Sequence, residues 1–296
     1  MKIEKISEKT IMKGLQDTEY FETLSESDKL SVLVLDIIKN GSVKKANLEC
    51  WEKIGDEKNN ISEEHRFDEI TRVIETKAPS KTLKVLMSTG LLEFCLPHCF
   101  PIKKRLSWRD LDLIISRFDK VKGETAVRLA ILLFPFQLEK TRETLENANF
   151  DPEVIDIMVN SLKDLEDFTL IKEKEHLKKF IFEHGSEEYN FIVSLTEEIA
   201  TALDFPEYRH MSKRYLMDEI KRLKEPIYVE DLAITKEDIV ENGIVTADEA
   251  DELLKMLVPF VHFKPYENKK EILIKRAKSL HKNPVKRAFR NVNWMK

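Results

Sequence analysis

PIYVEDLAITKEDIVENGIVTADEADELLKML, residues Pro226 to Leu257, is the most heavily punctuated stretch in a chain with little punctuation. Thr235 is followed three residues later by Asp238, which predicts the start of a short helix. Gly243 stands where a left-handed C-terminal cap is expected, with apolar Ile244 behind it. Thr246 and Glu249 form a second Thr-x-x-Glu pair, a capping box for a helix carrying Leu253, Leu254 and Leu257. The stretch therefore reads as two helices joined by a tight corner.

The same grammar extends outward in both directions. Leu30, Leu33, Val34 and Ile37 recur at helical spacing, as do Phe67, Ile70, Val73 and Ile74 after Ser62. Ser80 is placed to cap a helix bearing Leu83, Leu86 and Met87, which Gly90 ends. Leu111, Ile114, Ile115 and Phe118 share one face of the next helix. Val127 to Phe134 is almost wholly apolar and closes at Pro135, which predicts the central helix of a core. Asp151-Pro152 opens a further helix. Gly185 ends one helix and Ser186 starts another. The Asp204–Pro206 break is the best inner boundary. No alternating strand pattern and no constant repeat period is present.

Composition supports an all-α fold. Only 7 glycines and 10 prolines in 296 residues are too few for the turns of an all-β protein. Charged residues make up 35%, predicting a heavily charged surface, and no apolar run is long enough for a membrane span. MKIEKISEKT lacks an apolar signal region, so a cytoplasmic location is expected. Three cysteines, Cys50, Cys95 and Cys99, argue against a disulfide framework.

Charge is unevenly distributed. Residues 269–296 hold ten Lys/Arg against the single acid Glu271, a formal charge of +9 in a chain of net charge −5, leaving −14 on residues 1–268. A basic end on an acidic body is a polyanion-binding pattern. Lys275, Lys278 and Lys282 share one helical side, and Arg287 and Arg290 lie near one another. Phe289 and Trp294 interleave with the cations, where aromatic rings could stack on bases. Contacts of this kind give salt-dependent, largely sequence-independent affinity. The candidate RNA-binding residues are Lys269, Lys270, Lys275, Arg276, Lys278, Lys282, Lys286, Arg287, Phe289, Arg290 and Trp294. No catalytic residue and no metal ligand is assigned. Cys95, His98 and Cys99 lack the second pair that a zinc site needs, and there is no Walker loop or dinucleotide fingerprint.

Three segments, in order, resemble the C-terminal part of the class II CCA-adding tRNA nucleotidyltransferases and the bacterial poly(A) polymerases. Ile61-Ser-Glu-Glu-His-Arg-Phe-Asp-Glu-Ile70 with Pro79 to Pro97, including Gly90-Leu-Leu92, is similar to the neck of those enzymes. Arg128-Leu-Ala-Ile-Leu-Leu133 and the helices after it are similar to the body. The stretch that opens this section, followed by Pro265-Tyr-Glu-Asn268, is similar to the tail. The resemblance implies an elongated helical array: a neck-like region over 1–100, a body over 101–205 and a tail over 206–296. It also implies tRNA or tRNA-like RNA as partner. The family's chemistry resides in a head with a Gly-rich turn and an Asp-x-Asp pair holding two metals. Here the nearest features are Gly41-Ser42 and Asp110-Leu-Asp112, and the latter falls on a helix. The expectation is a headless, non-catalytic RNA-binding homologue without cofactors. Two alternatives stand beside it. One is the body and tail of a split nucleotidyltransferase, whose separate head chain would dock on Leu30–Ile38 and bring magnesium with it. The other is a helical interaction scaffold.

Overall fold

The computed structural model describes residues 8–100, 108–204 and 211–282, and all regular structure among them is helical. The α-helices are α1 (Glu8–Gln16), α2 (Thr18–Glu22), α3 (Glu26–Asn40), α4 (Lys45–Lys53), α5 (Glu63–Ile74), α6 (Pro79–Ser88), α7 (Leu91–Cys95) and α8 (Trp108–Arg117). They continue with α9 (Thr125–Leu133), α10 (Leu138–Asn147), α11 (Pro152–Leu170), α12 (Lys174–Ala202), α13 (Met211–Leu223), α14 (Lys236–Glu241), α15 (Ala247–Phe263) and α16 (Lys270–His281). Two compact units emerge. The first takes in 1–169 and 190–209, the second 170–189 and 210–296. Among the described residues no helix is long and apolar enough to cross a membrane.

The first unit is built around α3. The hydroxyl of Ser25 caps it by accepting from the Asp28 N–H at 3.2 Å. Leu30, Val32, Leu33, Val34 and Ile37 have no exposed surface, because α1, α4, α5 and α6 all pack on this helix. The aliphatic stretch Leu30–Ile38 is thus interior, and the expectation that it offers a docking face for a separate chain is corrected. Its apolar residues surround the helix on nearly every side, the pattern of a core helix.

Polar residues tie α3 to α5. Ser31 Oγ donates to Glu69 Oε1 at 2.6 Å, and Arg72 Nη1 donates to Glu69 Oε2 at 2.9 Å. Burial, the largest influence, pushes the Glu69 carboxyl up despite Arg72 and Ser31. Helix α6 begins two residues earlier than the sequence predicts, with Ala78 in place of Ser80 at the N-cap. Pro79 takes its first turn, and Ser80 makes a reciprocal bond with a distant residue instead of capping. The Ser80 N–H donates to Asp119 Oδ1 at 2.7 Å, and the Asp119 N–H donates to Ser80 Oγ at 3.0 Å. Helix α9 meets its expectation, with Val127 and Leu129 to Leu133 all buried.

The second unit assembles around α14, α15 and α16. Thr235 and Asp238 form the expected reciprocal box: the Thr235 N–H donates to Asp238 Oδ2 at 3.1 Å, and the Asp238 N–H to Thr235 Oγ1 at 3.4 Å. Gly243 follows in the left-handed region, φ 62°, and the Ile244 N–H returns to the Ile239 carbonyl at 3.2 Å. The second box does not form. The Thr246 hydroxyl donates to the Glu249 carboxylate at 3.2 Å and takes no bond from the helix N–H groups. Helix α12 runs through Gly185, where φ 85° and ψ 168° break the helical path at the position the sequence marks.

Candidate nucleic-acid interface

Helix α16 carries the described part of the predicted basic surface. Its inward face is Leu273, Ala277 and Leu280, which join Leu253, Leu254, Leu257 and Val261 of α15 in one apolar cluster. Fully burying a leucine contributes about 1.5–3 kcal/mol, so this helix is anchored by its own core face. That anchoring sets the outward direction of Lys275, Lys278 and Lys282, all exposed, with Lys269 exposed just before the first turn.

Two of the predicted cations are engaged within the unit. Lys270 Nζ lies 2.5 Å from Asp238 Oδ1, joining α16 to α14, and this bond raises its pKa. The Arg276 guanidinium stacks over the Phe260 ring at 4.1 Å and is half-buried. Both cations help hold α16 in place. Lys286, Arg287, Phe289, Arg290 and Trp294 lie outside the described residues.

The approach to α16 is fixed by Asn268. Its Oδ1 accepts from the Ala233 N–H at 2.8 Å, and its Nδ2 donates to the Asp231 carbonyl at 2.8 Å. Asp231 in turn accepts from the N–H groups of Ile227 and Tyr228 through Oδ2, at 2.8 and 2.9 Å. The Asp231-Leu-Ala233 and Pro265-Tyr-Glu-Asn268 segments, distant in sequence, are thus one hydrogen-bonded corner.

In the first unit, α5, α6 and α7 form a compact group. Gly90, at φ 74°, turns the chain from α6 into α7, and Leu91, Leu92 and Cys95 point into the core. Residues 52–102 match a known family model. Its description is "Probable RNA and SrmB- binding site of polymerase A". The match encloses α5, α6 and α7 and supports a relation to the poly(A) polymerase and CCA-adding enzymes for this segment. No curated protein and no solved structure matches the chain.

Cys95, His98 and Cys99 are held in packing and bridging contacts. Cys95 is buried, and burial pushes its thiol far up. Cys99 is likewise pushed up to about 11 by burial, with its sulfur 3.4 Å from Thr144 Oγ1. Neither thiol is poised to become a thiolate ligand. His98 instead bridges helices, with Nε2 2.8 Å from Glu63 Oε2 and Nδ1 3.1 Å from Glu143 Oε1. Asp112 is exposed on α8, whose Leu111, Ile114 and Ile115 are buried.

Sequence reasoning missed a second group of exposed cations, Lys77, Lys81 and Lys84, on and beside α6. The available signal was their i, i+4, i+7 spacing in a window free of acids.

Proposed function

We propose that this chain binds structured RNA of tRNA-like shape and that its own role is recognition, not chemistry. The match of residues 52–102 to an RNA-binding segment of polymerase A carries this reading. The exposed Lys269, Lys275, Lys278 and Lys282 on an anchored helix support it by offering ammonium groups at fixed positions. Such a surface neutralises phosphates along a backbone and reads shape in preference to base sequence. The assignment of binding without catalysis is supported by the setting of Asp110-Leu-Asp112. Those positions fall on α8, which packs through Leu111 with Asp112 exposed, and among the described residues no strand adjoins it.

The test is a gel shift with an in vitro transcribed tRNA. Removing 269–296 would also strip Leu273, Ala277 and Leu280 from the core, so substitution is the sounder probe. Lys275→Gln, Lys278→Gln and Lys282→Gln together should weaken tRNA binding and flatten its salt dependence. Unchanged affinity and salt dependence would remove α16 from the interface. Purified chain with CTP, ATP, magnesium and tRNA lacking its 3′ end is expected to add no nucleotide. Addition would overturn the non-catalytic reading.

A further inference from the structure

Helix α6 is anchored on one side and cationic on the other. Thr82, Leu83 and Leu86 are buried, while Lys81 and Lys84 are exposed on the helix and Lys77 is exposed just before it. Lys81 and Lys84, three residues apart on the helix, share a side, and Lys77 stands in the turn that leads into it. From Thr76 to Leu92 the chain has no acid, although 54 of its 296 residues are Asp or Glu. Several other lysines of the chain are held by carboxylates. Lys140, Lys174, Lys178, Lys236, Lys264 and Lys270 each meet a carboxylate. None of Lys77, Lys81 and Lys84 does among the described residues.

A second acid-free segment joins this one in space. Helix α3 ends at Gly41, whose φ is 67°, and the Lys81 side chain lies directly over that residue. A Cβ at position 41 would collide with the Lys81 ammonium and its neighbouring methylenes. Glycine is favoured here by the left-handed turn, while the flexible Lys81 side chain rests over it. Three residues on is exposed Lys44, whose Nζ donates to the Gln16 carbonyl at 3.2 Å.

We infer that Lys77, Lys81 and Lys84, continued by Lys44, form a second phosphate-contacting surface on the first unit, and that its ligand is an RNA backbone. The inference rests on the RNA-binding reading above and gives that reading residues within the family-matched segment. Lys81 and Lys84 are neighbouring like charges on one helix face and repel mildly, and neither meets a carboxylate among the described residues; the Asp36 carboxylate beside Lys44 is taken up by the Lys44 backbone N–H at 2.8 Å. A polyanion supplies the missing charge. Along the helix axis Lys81 and Lys84 are about 4.5 Å apart, comparable to the ~3.4 Å rise per phosphate of one strand. Lysine fits this use, because an ammonium on a flexible stem meets phosphate as a point charge without demanding a fixed fork geometry.

The test measures binding of an in vitro transcribed tRNA across salt for three full-length proteins. These are the wild type, the triple variant Lys77→Gln/Lys81→Gln/Lys84→Gln, and the triple variant Lys275→Gln/Lys278→Gln/Lys282→Gln. Between about 50 and about 200 mM salt, the α6 variant should show a log–log slope shallower by about 2–3, since each lost phosphate contact removes roughly 0.7–0.9. Its affinity should fall about tenfold or more, and its urea midpoint should match the wild type because the three side chains are exposed. Lys77→Arg/Lys81→Arg/Lys84→Arg should keep the wild-type slope, separating charge from any change in packing. Wild-type slope and affinity in the α6 glutamine variant, with tRNA still bound, would overturn this surface alone. Absence of tRNA binding by the wild type would overturn both the surface and the RNA reading.

Discussion

The Lys178 ammonium donates to the carbonyl oxygen of His262 at 2.7 Å, and neither side chain reaches solvent. The same ammonium lies 2.6 Å from Glu225 Oε2, while Lys174 Nζ reaches the other carboxylate oxygen at 2.7 Å. This network joins α12 to the segment that begins at Pro226. A buried charge is tolerable only when its partners are present. Lys178→Met should therefore destabilise the protein by about 2–3 kcal/mol, read as a lower urea midpoint, because it leaves the buried His262 carbonyl and one Glu225 oxygen without their donor while Lys174 keeps the other oxygen. Adding Glu225→Gln to that variant should recover part of the loss. Strictly additive costs in the double variant would show that the two groups are not coupled.

Acidification should weaken the second unit through His262. Burial pushes its pKa down to about 4, against the 2.9 Å bond between Nε2 and the Ile227 carbonyl, and the nearby Lys178 charge acts with burial. The unfolded chain takes up this proton near 6.5 and the folded one near 4. Stability is therefore lost as pH falls between those values, by roughly 3 kcal/mol in all. Glu225 acts in the same direction at lower pH. Burial tends to raise its carboxyl, but the bonds from Lys174 and Lys178 prevail and hold it below the usual carboxylate range. Urea titrations from pH 7 to pH 4 should show the decline, and His262→Phe should reduce the part above pH 4.

Glu69 has the opposite sign. Its folded pKa is raised by burial. It therefore favours the folded state below the ordinary carboxylate value of 4.5 and loses that contribution as pH rises. Glu69→Gln should flatten this part of the stability profile above pH 4.5 while keeping the Ser31 hydroxyl supplied with an acceptor. An unchanged pH profile in that variant would show that Glu69 does not govern it.

Asn268→Ala should cost about 1 kcal/mol, since both halves of its amide bridge are near the surface and water can replace them in part. Asn268→Asp keeps the acceptor for the Ala233 N–H and loses the donor to Asp231, so its denaturation midpoint should fall between those of the wild type and the alanine variant. Equal midpoints for all three would remove Asn268 from the stability of the corner.

Local signals were mostly readable where partners lie within one turn of each other, the Thr246–Glu249 box being the exception. Thr235 with Asp238, Gly243 with Ile244, and the stripes of α3, α5 and α9 all depend on neighbours three or four residues away. Longer-range partnerships were not readable. Ser80 looked like a cap because Asp119, its actual partner, is 39 residues distant. Lys270 and Arg276 looked like free cations because Asp238 and Phe260 are brought to them only by the packing of α14, α15 and α16. The α6 lysines were overlooked for a related reason. Their counting signal is modest, and the adjoining basic segment after α3 becomes their neighbour only through the contact of Lys81 with Gly41.

The chain crosses between its two units after Thr169, after Tyr189 and again after Arg209. A fragment spanning only 211–282 would retain α14, α15 and α16 but not Lys174 or Lys178, both of which precede the second crossing. It would keep Glu225 and the His262 carbonyl with their ammonium partners left behind on another piece. The basic helix and the residues that steady its foundations are thus inherited together or not at all. A protease cut or gene fission near residue 205 would split the second unit across two polypeptides, stranding residues 170–189 on the piece that carries the first unit.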